Sequence, residues 1–76
     1  MTTKYWQLRL KGERSADEIQ SAIGRSGGII VRVHVEGGET RVYFAAEKSV
    51  AADVSKAMKG AQAPKEVRAD EVTKFD

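Results

Sequence analysis

Two adjacent glycines, Gly37 and Gly38, stand between two runs whose apolar residues alternate. Before them, residues 29–36 form a β-branched run. Val31, Val33 and Val35 take one face; Arg32, His34 and Glu36 take the other. After them, Val42 and Phe44 alternate with Arg41 and Tyr43 over residues 40–46. Hairpins with two-residue loops use mirror-image turns, which need positive φ at the first position or at both, so a glycine pair is a hairpin signal. A two-residue loop also sets the register. It places Val33 opposite Val42 and Val31 opposite Phe44 on an inner face. Arg32 then lies opposite Tyr43, and His34 opposite Arg41, on an outer face. A slip of one residue would turn every side chain over, so the agreement of the two alternations supports this pairing.

The flanking segments alternate strand and helix signals. Residues 4–11 have Trp6, Leu8 and Leu10 on one side and Tyr5, Gln7, Arg9 and Lys11 on the other, which predicts a half-buried strand. Gly12-Glu13-Arg14 reads as a turn. Ser15-Ala16-Asp17-Glu18 fits a capping box, and Ala16, Ile19, Ala22 and Ile23 share one face of a helix over 15–25. Gly24, Gly27 and Gly28 end it. Val50, Val54, Ala57, Met58 and Ala61 recur at three- and four-residue steps, predicting a helix over 49–60 closed by Gly60 and Pro64. A weaker alternation of Val67 and Ala69 with Glu66, Arg68 and Asp70 predicts a last strand over 65–70. Val72 and Phe75 are expected at a core edge.

The order strand, helix, strand, strand, helix, strand predicts an α+β domain. Two right-handed β-α-β units around a hairpin give the split βαβ, or ferredoxin-like, plan. Its four-stranded antiparallel sheet carries both helices on one face, with the first and third strands central. Seventy-six residues make one domain with a modest core, so self-association is expected to help bury surface. An apolar share of 41% and a charged share of 32% fit a globular protein. The net charge of +2, from 13 basic and 11 acidic residues, is too small to point to nucleic acid without a patch.

The uncovered sheet face is the expected binding surface. Parity places Tyr5, Gln7, Arg9, Arg32, His34, Arg41, Tyr43 and Arg68 there. Tyrosines on the central strands, ringed by arginines, suit single-stranded nucleic acid, whose bases stack on aromatic rings. Arg41, Tyr43 and Tyr5 make the chain resemble RNA-recognition-motif domains, which share the βαββαβ fold and bind through this face. Arg41 matches the leading basic residue of that family's longer motif and Tyr43 an aromatic position. Ala45 replaces the second aromatic, Val42 the usual glycine, and no asparagine follows Tyr5. The rival reading is docking of a second copy on Ile30, Tyr5, Tyr43 and Ala45, or edge-to-edge pairing along the second strand. Glu36, Glu66 and Asp70 would then partner the arginines.

Other chemistries of this fold lack their residues. The chain has no cysteine, which removes thiolate chemistry, disulfides and the paired-cysteine site of heavy-metal-associated domains. Lys11 to Arg14 resembles the arginine-bearing first loop of acylphosphatases, but the chain has no asparagine for that family's catalytic pattern. Gly24 to Gly28 sits at a helix C-terminus, where the dipole repels anions. His34 is the only histidine, so no nucleophile–base pair forms around it. Small-ligand regulatory domains of the ACT type share the fold, with no motif here that selects them. No run approaches ~20 apolar residues, and no signal-peptide run follows Met1. The expectation is a cytoplasmic, non-enzymatic binding or assembly module without metal, cofactor or membrane, acting through the open face as a homo-oligomer. Single-stranded nucleic-acid binding is the second expectation and small-ligand regulation the third.

Overall fold

The computed structural model describes residues 3–58 and 61–73. The expected helix end at Lys59-Gly60 and the expected cover by Phe75 lie outside the described residues. Strand β1 runs Lys4–Lys11, helix α1 Ala16–Ser26, β2 Ile29–Glu36, β3 Glu39–Ala46, α2 Lys48–Ala57, β4 Lys65–Val67 and α3 Ala69–Thr73. The strands form one antiparallel sheet in the order β2-β3-β1-β4. β1 and β3 are therefore central, as the order of elements implied.

Both α1 and α2 pack on the face carrying Trp6, Leu8 and Leu10. Ile19 and Ile23 of α1, and Ala51 and Val54 of α2, join Val42, Phe44, Ala46 and Met58 in one buried cluster. Removing these side chains from water is the main stabilising term, at roughly 1.5–3 kcal/mol for each large one. The buried Trp6 indole keeps a partner: its Nε1–H donates to the Ala46 carbonyl at 2.9 Å. Ser15 caps α1, its hydroxyl accepting from the Glu18 amide at 3.1 Å. The Glu18 carboxylate accepts from Arg14 Nη1 at 3.1 Å. α1 ends in a Schellman motif. Gly27 takes a left-handed φ of 96° and Gly28 N–H donates to the Ile23 carbonyl at 2.9 Å.

The hairpin register holds from the loop up to Arg32: Glu36 faces Glu39, His34 faces Arg41, Val33 faces Val42 and Arg32 faces Tyr43. Gly37 and Gly38, at φ 59° and 75°, make the type I′ turn. Beyond Arg32 a bulge shifts the ladder by one residue. Ile30, not Val31, then faces Phe44 and packs on the core, and Ile29 faces Ala45. Both the expected Val31–Phe44 pair and the placing of Ile30 on the open face are corrected. A bulge adds one residue to one strand only, and an unbroken β-branched run gives no sign of it.

The end of the chain differs more. β4 stops at Val67, and Ala69–Thr73 is helical where a strand was expected. Asp70 and Glu71 occupy the first turn of α3, where negative charge suits the helix N-terminus. Val67 pairs with Tyr5, so it lies on the face opposite to the one its alternation suggested.

Candidate functional site

The uncovered face was expected to present eight side chains. Tyr5, Gln7 and Arg9 stand on it from β1, Arg32 and His34 from β2, and Arg41 and Tyr43 from β3. Their exposure is not what an open platform requires. Tyr43 is only 1% exposed, enclosed with Val67 and Val72. α3 supplies Val72, so a short helix closes this part of the face. The Tyr43 hydroxyl accepts from Gln7 Nε2 at 2.8 Å, which satisfies the polar end of a buried ring. Tyr5 remains 38% exposed. Arg68 follows β4 instead of lying within it. Its side chain is exposed, with Nε 3.7 Å from Asp70 Oδ1.

Two arginines of the set are tied together. Arg9 and Arg41 are directly opposed on β1 and β3, a repulsive pairing if left alone. Glu39 resolves it. Its carboxylate accepts from Arg9 Nε at 3.1 Å and Nη2 at 2.9 Å, and from Arg41 Nε at 2.8 Å. The hydrogen bonds from Arg9 and Arg41 hold the Glu39 carboxyl below its ordinary value of 4.5. The same bond to Glu39 raises Arg41. On the outer side of β2, His34 Nε2 and Glu36 Oε2 are 2.9 Å apart, and this hydrogen bond lowers the Glu36 carboxyl. Glu66 lies 3.4 Å from Lys4. The acidic partners expected for the arginines were Glu36, Glu66 and Asp70. Glu39 was missed, although its parity with Arg41 and its place beside the two-residue loop put it on this face.

The edge of the sheet is more open than the face. β2 has no further strand beside it among the described residues, and it is eight residues long. Val31, Val33 and Val35 are 46%, 42% and 46% exposed. Val33 and Val35 lie on the side of the sheet that α1 and α2 cover elsewhere, since their partners Val42 and Thr40 are fully buried. The helices stop short of them. The opposite edge is built differently: β4 is three residues long and carries Lys65 and Glu66. Natural sheets blunt their edges with short strands, charges and bulges; β4 is short and charged, whereas β2 has a bulge beside Ile30 but keeps residues 32–36 as a regular edge with Val33 and Val35 exposed.

Among the described residues no group of three His, Cys, Asp or Glu side chains could hold a metal ion. Nor is any described helix long and apolar enough to cross a membrane. A shallow crevice lies between Trp6, Ala51, Ala52 and Pro64, lined mainly by apolar atoms. Comparison with known proteins finds no matching family model, no matching curated protein and no matching solved structure.

Proposed function

We propose that this chain is a non-enzymatic binding or assembly module on a ferredoxin-like plan, and that it works by accepting an extended strand along β2. The order of elements up to β4 and the strand order β2-β3-β1-β4 support the fold reading. The observation that carries the functional reading is the exposure of Val31, Val33 and Val35 beside an uncovered strand edge. Apolar side chains there give a visiting strand area to bury, while the edge offers main-chain donors and acceptors.

This moves the binding surface from the sheet face to its edge. Base stacking on the face needs accessible rings, and Tyr43 is enclosed by Val67 and Val72. Arg9 and Arg41 share the Glu39 carboxylate, so phosphates would compete with it. Neither change touches the β2 edge.

The test is an amide-shift titration of labelled protein with a blocked, alternating peptide, Lys-Thr-Val-Thr-Val-Thr-Lys. Strand addition predicts shifts concentrated at Val33 and Val35. The absence of shifts there at millimolar peptide would overturn the reading.

A further inference from the structure

We infer that the strand β2 receives is the β2 of a second copy of this chain, antiparallel, with His34 opposite His34 on a two-fold axis. The inference rests on the edge-binding reading and names its occupant.

The ladder with β3 determines which backbone groups are available. A type I′ loop closes on a hydrogen-bonded pair, here Glu36 and Glu39. Bonded and non-bonded pairs then alternate along the strands. Arg32, His34 and Glu36 direct their amides and carbonyls at β3. Val33 and Val35 direct theirs outward, so a new strand bonds through those two residues. The bulge between Ile30 and Arg32 breaks the ladder and limits a straight pairing to residues 32–36. That stretch also stops short of Ile30, the β2 residue that packs on the core.

Symmetry leaves three registers over so short a stretch, and the one centred on Val35 pairs only residues 34–36 and leaves Arg32 outside. Centring on Val33 places Arg32 of one copy opposite His34 of the other and leaves Glu36 beyond the pairing. Centring on His34 places Val33 against Val35 twice and Arg32 against Glu36 twice. Only centring on His34 pairs all five residues, and it is complementary on both faces. Four valines, each more than two-fifths exposed in one chain, meet on the inner side. Two opposite-charge pairs form on the outer side, where directly opposed unlike charges stabilise a sheet. The Glu36 side chain is 72% exposed and bonds His34 through one carboxylate oxygen, Oε2. The inner side of β2 carries Ile30, Val33 and Val35, with no charge to repel a copy.

The experiment uses the full chain, which has no native cysteine. Under oxidised glutathione, His34→Cys is expected to form a disulfide-linked dimer, because non-bonded antiparallel pairs hold their Cα atoms within disulfide reach. Val33→Cys is expected to cross-link poorly. The reverse preference would overturn the register. Sedimentation equilibrium supplies the second readout, independent of cysteine. Arg32→Glu and Glu36→Arg are each expected to weaken self-association about tenfold. A mixture of those two variants, which restores both charge pairs in the heterodimer, is expected to recover it. Val35→Lys is expected to abolish association while leaving the fold intact, since Val35 is nearly half exposed. Association unaffected by Val35→Lys, or no association at millimolar chain, would overturn the inference. If the chain stays monomeric while the alternating peptide still shifts Val33 and Val35, only the choice of occupant fails. If the peptide also leaves them unmoved, the edge-binding reading fails with it.

Discussion

At the scale of single residues, Tyr43 separates parity from exposure. Alternation along β3 correctly sets its side chain opposite to Val42 and Phe44, beside Gln7. Its burial depends on Val72, 29 positions further along the chain, so no local pattern near Tyr43 could announce it. Replacing Tyr43 with Ala should therefore destabilise the fold by about 3–5 kcal/mol, the range for emptying a large aromatic site. Tyr43→Phe keeps the volume and loses only the bond from Gln7 Nε2, so it should cost about 1 kcal/mol. Urea unfolding of both variants checks this; equal losses would mean that the hydroxyl, not the ring, dominates. Glu39 gives a second prediction. Its carboxyl is held below 4.5 in the folded chain by Arg9 and Arg41. A depressed folded value means the stabilisation is present above 4.5 and is lost as pH falls through the folded value. Glu39→Gln should accordingly show a shallower fall in stability below pH 4.5. Some slope should remain, because Glu36 is lowered as well. An unchanged acid limb would remove Glu39 as its source.

At the scale of elements, much was legible because local chemistry and tertiary need agree. The β1 alternation, the Ser15 cap, the Gly27-Gly28 stop of α1 and the Gly37-Gly38 turn each appear where the residues indicated, while Gly24 stays inside the helix. The failures share one cause. The bulge beside Ile30 and the switch from β4 to α3 are decided by packing across the sheet, in stretches whose sequence suits more than one outcome. Val67 and Ala69 supply only two alternating positions, too few to outweigh the helical signal of Asp70 and Glu71. Two glycines near the end of α1 make the local–tertiary distinction measurable. A Cβ at Gly28 would sit 2.9 Å from Ile23 Cγ2 and 3.4 Å from Phe44 Cδ2, both on fully buried residues. Gly28→Ala should cost about 1–3 kcal/mol as overpacking. A Cβ at Gly24, inside α1, meets nothing within 4 Å. Gly24→Ala should instead stabilise by about 0.5–1 kcal/mol, through helix propensity and a less free unfolded chain. Thermal unfolding of the pair reads both signs at once.

At the scale of the whole molecule, the uneven treatment of the two sheet edges matters more than the face. α1 and α2 cover one side, α3 covers Tyr43 on the other, and the short charged β4 guards one edge. What remains is β2, with valines that a small chain cannot cover by itself. Pairing two β2 strands would turn two four-stranded sheets into one continuous sheet. The contact would nevertheless be small. It joins residues 32–36 of each copy, against the roughly 20–30 residues a side of a standard interface. Association should therefore be weak, with a dissociation constant in the range of about 1 μM to 1 mM. Weak association by the folded chain alone still raises its stability by mass action. At a total concentration about ten times the dissociation constant, roughly a fifth of the chains remain monomeric. That is worth about 1 kcal/mol per chain, or about 4–8 °C in Tm for a domain of this size. Calorimetry across a hundredfold concentration range should show Tm climbing by a few degrees in the natural chain. In Val35→Lys the climb should vanish. A Tm independent of concentration in both would show that the β2 valines stay in contact with water at every concentration tested.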